Sequence, residues 1–179
     1  MSPHTFSGAA RLLHWLMAVL IIGMLFIGVG MVSTVGNSHT WLVPLHKSVG
    51  ATLLVLVLIR LAVRATHRPP PLPADMPAPQ KAIAHLSHIV LYALMIALPL
   101  VGWSMLSAGG YPITVWGAAH LPPLMAPDRG LYATLRHLHT YLAYALFLTV
   151  IAHLSAALMH AFLFRDGVFQ SMAAWRTRR

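Results

Sequence analysis

Four long, predominantly apolar runs decide what this chain can fold into. They cover Leu12–Val35, Trp41–Val63, Leu86–Ser107 and Leu131–Phe164. A helix rising about 1.5 Å per residue crosses a hydrocarbon core about 30 Å thick with about 20 residues, so each run is long enough to span. No soluble domain this short could hide so much apolar surface, because small domains bury only about 60–70% of what their unfolded chains expose. Of the 179 residues, 58% are hydrophobic and 8% charged. The sequence therefore predicts an all-α membrane protein, a bundle of four transmembrane helices forming a single domain over residues 1–179. No signal-peptide cleavage pattern is present near the start, so the first run is expected to be a retained span. The fourth is longer than crossing requires and must tilt or extend past the bilayer.

The connections set the topology. Gly36–Thr40 is short, which makes the first two helices antiparallel neighbours. Arg68–Gln80 contains six prolines and is expected to be an extended loop, because proline lacks the N–H that a helix interior needs. Ala108–Gly130 is rich in Gly and Pro with some apolar content, and is expected along the membrane surface. Arg11, Arg60, Arg64, Arg68, Lys81, Arg165, Arg176, Arg178 and Arg179 fall on one side, and Lys47, Arg129 and Arg136 on the other, nine against three. Cytoplasmic flanks of spanning helices carry the excess of Lys and Arg, so both termini are expected in the cytoplasm. The formal net charge of +9 then reports topology rather than a nucleic-acid partner.

Twelve histidines stand against three acidic residues. Eight of them, His14, His46, His85, His88, His137, His139, His153 and His160, lie within or at the edges of the apolar runs. An imidazole in lipid is costly without a partner, which makes each a candidate functional residue. His139 and His153 are fourteen residues apart. At about 100° and 1.5 Å per residue that spacing returns to within about 40° of one face and separates them by about 21 Å. His14 opens the first helix from the cytoplasmic side and His46 the second from the outer side. Depth therefore pairs His14 with His153 and His46 with His139. Each of the four has a small residue one turn later (Ala18, Gly50, Ala143, Ala157), where a flat macrocycle could lie against the helix.

Two imidazoles on facing helices leave zinc or non-haem iron short of ligands. Cysteine is absent, which removes thiolate sites, iron–sulfur clusters and covalent haem attachment through Cys-x-x-Cys-His. Haem brings four nitrogens of its own and asks the protein for one or two axial ligands. Two b-type haems stacked across the membrane follow. Arg60 lies fourteen residues after His46, nearly on the same face but at cytoplasmic depth. It is either a partner for a propionate of the inner haem or a snorkelling anchor. Lys47, Arg136 and His137 are candidates for the equivalent part at the outer haem.

The same residues carry a family resemblance. Arg11-Leu-Leu-His-Trp15, His46-Lys-Ser-Val-Gly50, Arg60-Leu61, Ala84-His-Leu-Ser-His88, Ala97-Leu-Pro-Leu-Val-Gly102, His139-Thr140 and Ala152-His153 resemble, in order and spacing, the bacterial di-haem cytochrome b561 proteins. The resemblance covers nearly the whole chain. It implies haem ligation at His14, His46, His139 and His153, a place in the bacterial inner membrane, and electron transfer involving the quinone pool. One branch of the family is similar to a superoxide oxidase, which takes electrons from superoxide at the outer haem and reduces ubiquinone.

The cations Lys47, Arg129 and Arg136 on the outer side, against Asp128, suit an anionic donor through electrostatic steering, and serve equally as helix-end anchors. His85, His88, His160 and Trp15 are candidates for a quinone site and equally for packed interfacial side chains. The leading expectation is a di-haem oxidoreductase between a small outer donor and membrane quinone. Its alternative is a non-catalytic cytochrome b subunit that relays electrons between a partner redox protein, such as a periplasmic one, and the quinone pool. A haem-free transporter is disfavoured, since Asp75, Asp128 and Asp166 all fall in loops or at helix ends where no buried carboxylate would carry protons.

Overall fold

The computed structural model describes residues 5–67 and 69–173. Its frame is four long helices, α1 (Gly8–Ser33), α2 (Asn37–Thr66), α3 (Ala78–Ala108) and α4 (Arg129–Met159). All four are long and apolar enough to cross a membrane, as the sequence predicts. The Ser7 hydroxyl caps α1 by accepting from the Ala10 N–H at 3.3 Å. Asp128 caps α4 by accepting from the Leu131 N–H at 2.9 Å. Each satisfies a backbone donor that the first helical turn would leave orphaned.

Two connections are tighter than expected. The turn before α2 spans only residues 34–36, because Gly36, at φ 76°, reverses the chain and its carbonyl already accepts the Thr40 N–H at 3.2 Å. The proline loop stops short of Gln80, since Ala78–Gln80 belong to α3 with a proline in the first turn. Proline is tolerated there because its missing N–H would have no intrahelical partner anyway.

The 108–130 connection adds a feature that helical periodicity did not reveal. Strands β1 (Ile113–Val115) and β2 (Ala119–Leu121) form a small antiparallel hairpin with Ile113 opposite Leu121. The fourth apolar run also ends differently from a simple helix. After Met159 it widens into a π-helical turn, His160–Phe164, which Arg165 closes in the left-handed region at φ 53°. The chain then folds back through α5 (Val168–Ala173). The Phe6 N–H donates to the Ser171 carbonyl at 3.1 Å and the Trp15 indole to the Met172 carbonyl at 3.3 Å. Both described ends of the chain thus meet at one end of the bundle, here the terminal end. The hairpin lies at the other.

Helix α1 packs along α2 and α3 along α4, with a lighter contact between α2 and α3. Their shared core is Met17, Ile21, Val49, Leu53, Val57, Leu94, Leu98 and Leu146. Large apolar side chains such as Val19, Phe26, Ile89, Leu148 and Phe162 point outward. In water such a surface would be an aggregation hazard; against lipid it is the ordinary exterior of a spanning bundle.

Candidate functional site

Two histidine pairs occupy the bundle, one toward each end. His14 on α1 faces His153 on α4 with ring centroids 6.3 Å apart and planes at 73°. His46 on α2 faces His139 on α4 at 6.1 Å and 68°. These are the pairs that sequence depth proposed. Leu146, buried, sits seven residues from each α4 histidine. With Ile21, Val49 and Leu53 it forms an aliphatic layer between the pairs.

The spacing has a chemical meaning. An imidazole nitrogen binds a first-row metal at about 2.0–2.1 Å, so two rings on opposite sides of one ion stand with centroids about 6 Å apart. Both pairs match that separation. Among the described residues no group of three or more His, Cys, Asp or Glu could hold a metal ion by itself. A two-imidazole donor set fits an iron whose other four positions a macrocycle fills. The Nδ1 atom of His46 is buried without a hydrogen-bond partner, a costly arrangement for a ring with no other use.

The surroundings refine the picture. Gly102 on α3 lies against His139, where an added Cβ would stand 3.3 Å from Cε1 and 3.5 Å from Nδ1. A methyl would press the ring by a few tenths of an ångström, and a longer branched side chain has nowhere to go. Gly102→Leu is expected to cost about 1–3 kcal/mol, as overpacking of a filled site does. Thermal unfolding in detergent, with Gly102→Ala as the milder control, checks this. The expected gap at Gly50 is shared, since a Cβ there would touch the Met24 methyl at 3.6 Å.

At the terminal end, Arg60 turns into the bundle. Its Nε donates to the Tyr92 hydroxyl at 3.0 Å, one terminal nitrogen to the Ala10 carbonyl at 3.3 Å, and the other contacts His14 Nδ1 at 3.3 Å. One side chain on α2 thereby joins α1 and α3. His88 also reaches this pair, with its ring 5.5 Å from that of His153. His85, one turn earlier, is exposed, as is His137 near the other pair. Arg136 is exposed as well, while the Lys47 ammonium donates to the Pro112 carbonyl at 3.3 Å.

Three contributors escaped the sequence reading. Tyr92, which receives the Arg60 Nε–H, has no sequence signal beyond its place one turn after His88. Gly102 carries part of the family resemblance, but its place against His139 is not legible from the sequence. Asp166 was set aside as a residue at a helix end, yet the π-turn brings its Oδ2 to 2.6 Å from Nδ1 of His160, which is buried. Its Oδ1 accepts the Val168 N–H at 3.1 Å. A carboxylate six residues from a histidine becomes its neighbour only because the chain reverses between them.

Known proteins resemble this chain along nearly its whole length. The pattern of the family described as prokaryotic cytochrome b561 matches residues 5–175. Cytochrome b561 homolog 2 of Escherichia coli is 32% identical over 176 residues, covering 96% of this chain and 92% of the relative. A protein named probable superoxide oxidase CybB, from Yersinia pestis, is 28% identical over 162 residues, covering 89% and 90%. Cytochrome b561 homolog 1 of Escherichia coli is 25% identical over 170 residues, covering 93% and 96%. With four spanning helices and a match along nearly its whole length, the chain belongs to the prokaryotic cytochrome b561 family, multi-pass proteins of the bacterial inner membrane that use b-type haem for transmembrane electron transfer.

Proposed function

We propose that residues 1–179 work as one di-haem unit that takes electrons from a small donor, superoxide, at the periplasmic side and delivers them to membrane ubiquinone. The observation that carries this reading is the two facing imidazole pairs, at 6.1 Å and 6.3 Å, on either side of an aliphatic layer. His14 and His153 would hold the inner haem and His46 and His139 the outer one. Haem, when bound, supplies the reversible one-electron chemistry. The terminal end, with its excess of Lys and Arg, faces the cytoplasm in this reading.

The protein's own contribution is positional and electrostatic. The helices exclude water and fix both imidazoles of each pair from separate elements. Arg60, already turned toward His14, is placed to meet an inner propionate by charge-assisted hydrogen bonding. At the outer end, exposed Arg129 and Arg136, two cations against the one carboxylate of Asp128, are placed to attract an anion. Two superoxide ions each lose one electron and leave as dioxygen, and quinone takes two electrons and two protons to become quinol. His160, whose Nδ1 lies 2.6 Å from Asp166 Oδ2, is a candidate for the site that receives this quinone. His88 and Trp15 are further candidates for this acceptor site. The name of the Yersinia pestis relative supports superoxide as the donor.

The first test is haem content and type in detergent-purified protein. About two non-covalent b haems per chain are expected, and colourless protein that takes up no haem would sink the reading. The ring planes at 68° and 73° predict a highly anisotropic low-spin ferric resonance rather than an ordinary rhombic one. Superoxide oxidation and quinone reduction by the purified chain alone would distinguish a catalyst from a subunit that works only beside a partner redox protein.

A further inference from the structure

The hairpin between α3 and α4 grips one helix of the outer pair at three points. Trp116 donates its backbone N–H to the Ser48 hydroxyl at 2.9 Å and its indole N–H to the Thr52 hydroxyl at 3.1 Å. Thr52 passes the chain on, donating to the Ser48 carbonyl at 2.9 Å. The Lys47 ammonium, next to His46, donates to the Pro112 carbonyl at 3.3 Å. Between these grips Ile113 is buried, and β1 packs on both α2 and α3.

The turn itself is built at a conformational cost. The Ala118 N–H donates to the Val115 carbonyl at 3.2 Å, with φ of 51° at Trp116 and 71° at Gly117. Positive φ at both central residues is the mirror-image turn that ordinarily carries Asn-Gly. A bulky aromatic at its first central position is a genuine outlier. Such an outlier persists only where its surroundings over-determine it. Here Trp116 is largely exposed, at 61%, so core packing does not account for it. What distinguishes Trp from Asn at this position is the second N–H that reaches Thr52.

On α2, at about 100° per residue, Ser48 and Thr52 lie about 160° and 120° around from His46. The hairpin therefore holds the helix from the side away from the imidazole. We propose that the hairpin is a clamp, with Trp116 as its latch, that fixes the rotation of α2 so that His46 faces His139. Trp116 is a positioning residue in this role and touches no reacting atom. The proposal rests on the reading of His46 and His139 as the outer haem pair.

The test is Trp116→Asn in the full-length haem-loaded protein, with Thr52→Val as a second variant that keeps the tryptophan. Asparagine suits the turn better, so thermal stability should hold or rise while the latch is lost. Potentiometric titration of wild type should resolve two b haems. In Trp116→Asn one potential should shift, because the orientation of an axial imidazole tunes its haem, and the other should stay. The resonance of the shifted haem should change shape as the His46 ring turns. Thr52→Val should move the same haem in the same direction by less. Unchanged potentials in both variants, or equal shifts of both haems, would overturn the clamp while leaving the di-haem reading intact. Wild type without two haems would overturn both.

Discussion

His139→Ala should reduce the haem content from about two per chain to about one and abolish electron entry from the periplasmic side. The effect is large because His139 is the ring that faces His46. His137 is exposed, and two residues along a helix is about 200° of rotation, which turns it to the opposite face. His137→Ala should therefore retain both haems. Pyridine haemochrome assay and reduced-minus-oxidised spectra of the two variants decide the matter. Retention of both haems in His139→Ala, with loss in His137→Ala, would reverse the assignment. The inner end should behave less absolutely. His88 stands 5.5 Å from His153, so a second imidazole is at hand when His14 is removed. His153→Ala, which deletes the ring that both others face, should be the more damaging change there.

Arg60→Met should carry the second large effect, on both stability and the inner site. The guanidinium serves Tyr92, Ala10 and His14 from three different nitrogens. A hydrogen bond from a charged group contributes about 1.5–3 kcal/mol. Relief from desolvating the cation offsets part of the loss, which leaves a net cost of about 2–4 kcal/mol. Thermal unfolding in detergent should show the drop, together with preferential loss or lowered potential of one haem. Arg60→Lys should restore little. A compact ammonium on a single stem cannot reach three partners spread across a planar fork. Tyr92→Phe removes one bond alone and should cost correspondingly less. If Arg60→Met melts with wild type and keeps both haems unchanged, the side chain is only a membrane anchor.

Much of this protein is legible along the chain because lipid makes the rules severe. Backbone groups in a bilayer must be satisfied within the segment, so long apolar runs can only be helices. A polar ring inside such a run then stands out against its surroundings. Helical periodicity carries the argument further, placing His139 and His153 on one face two depths apart. Together these gave the bundle and the two histidine pairings. The exact ends of α2 and α3 were not legible, because cap geometry at Gly36 and the first-turn proline of α3 depend on one or two residues.

What the sequence by itself determined is therefore one-dimensional, namely spans, depth and helical face. The hairpin is set by short strands whose few residues have no strong period, and it forms because α2 and α3 leave room for it. The His160–Asp166 pair needs the π-turn and the left-handed Arg165 to bring the carboxylate back. Gly102 matters only because His139 arrives from another helix, and Arg60 only because Tyr92 and His14 converge on it. Contacts between helices depend on rotation and packing that the order of residues along one helix does not encode, and only the tertiary structure decides them.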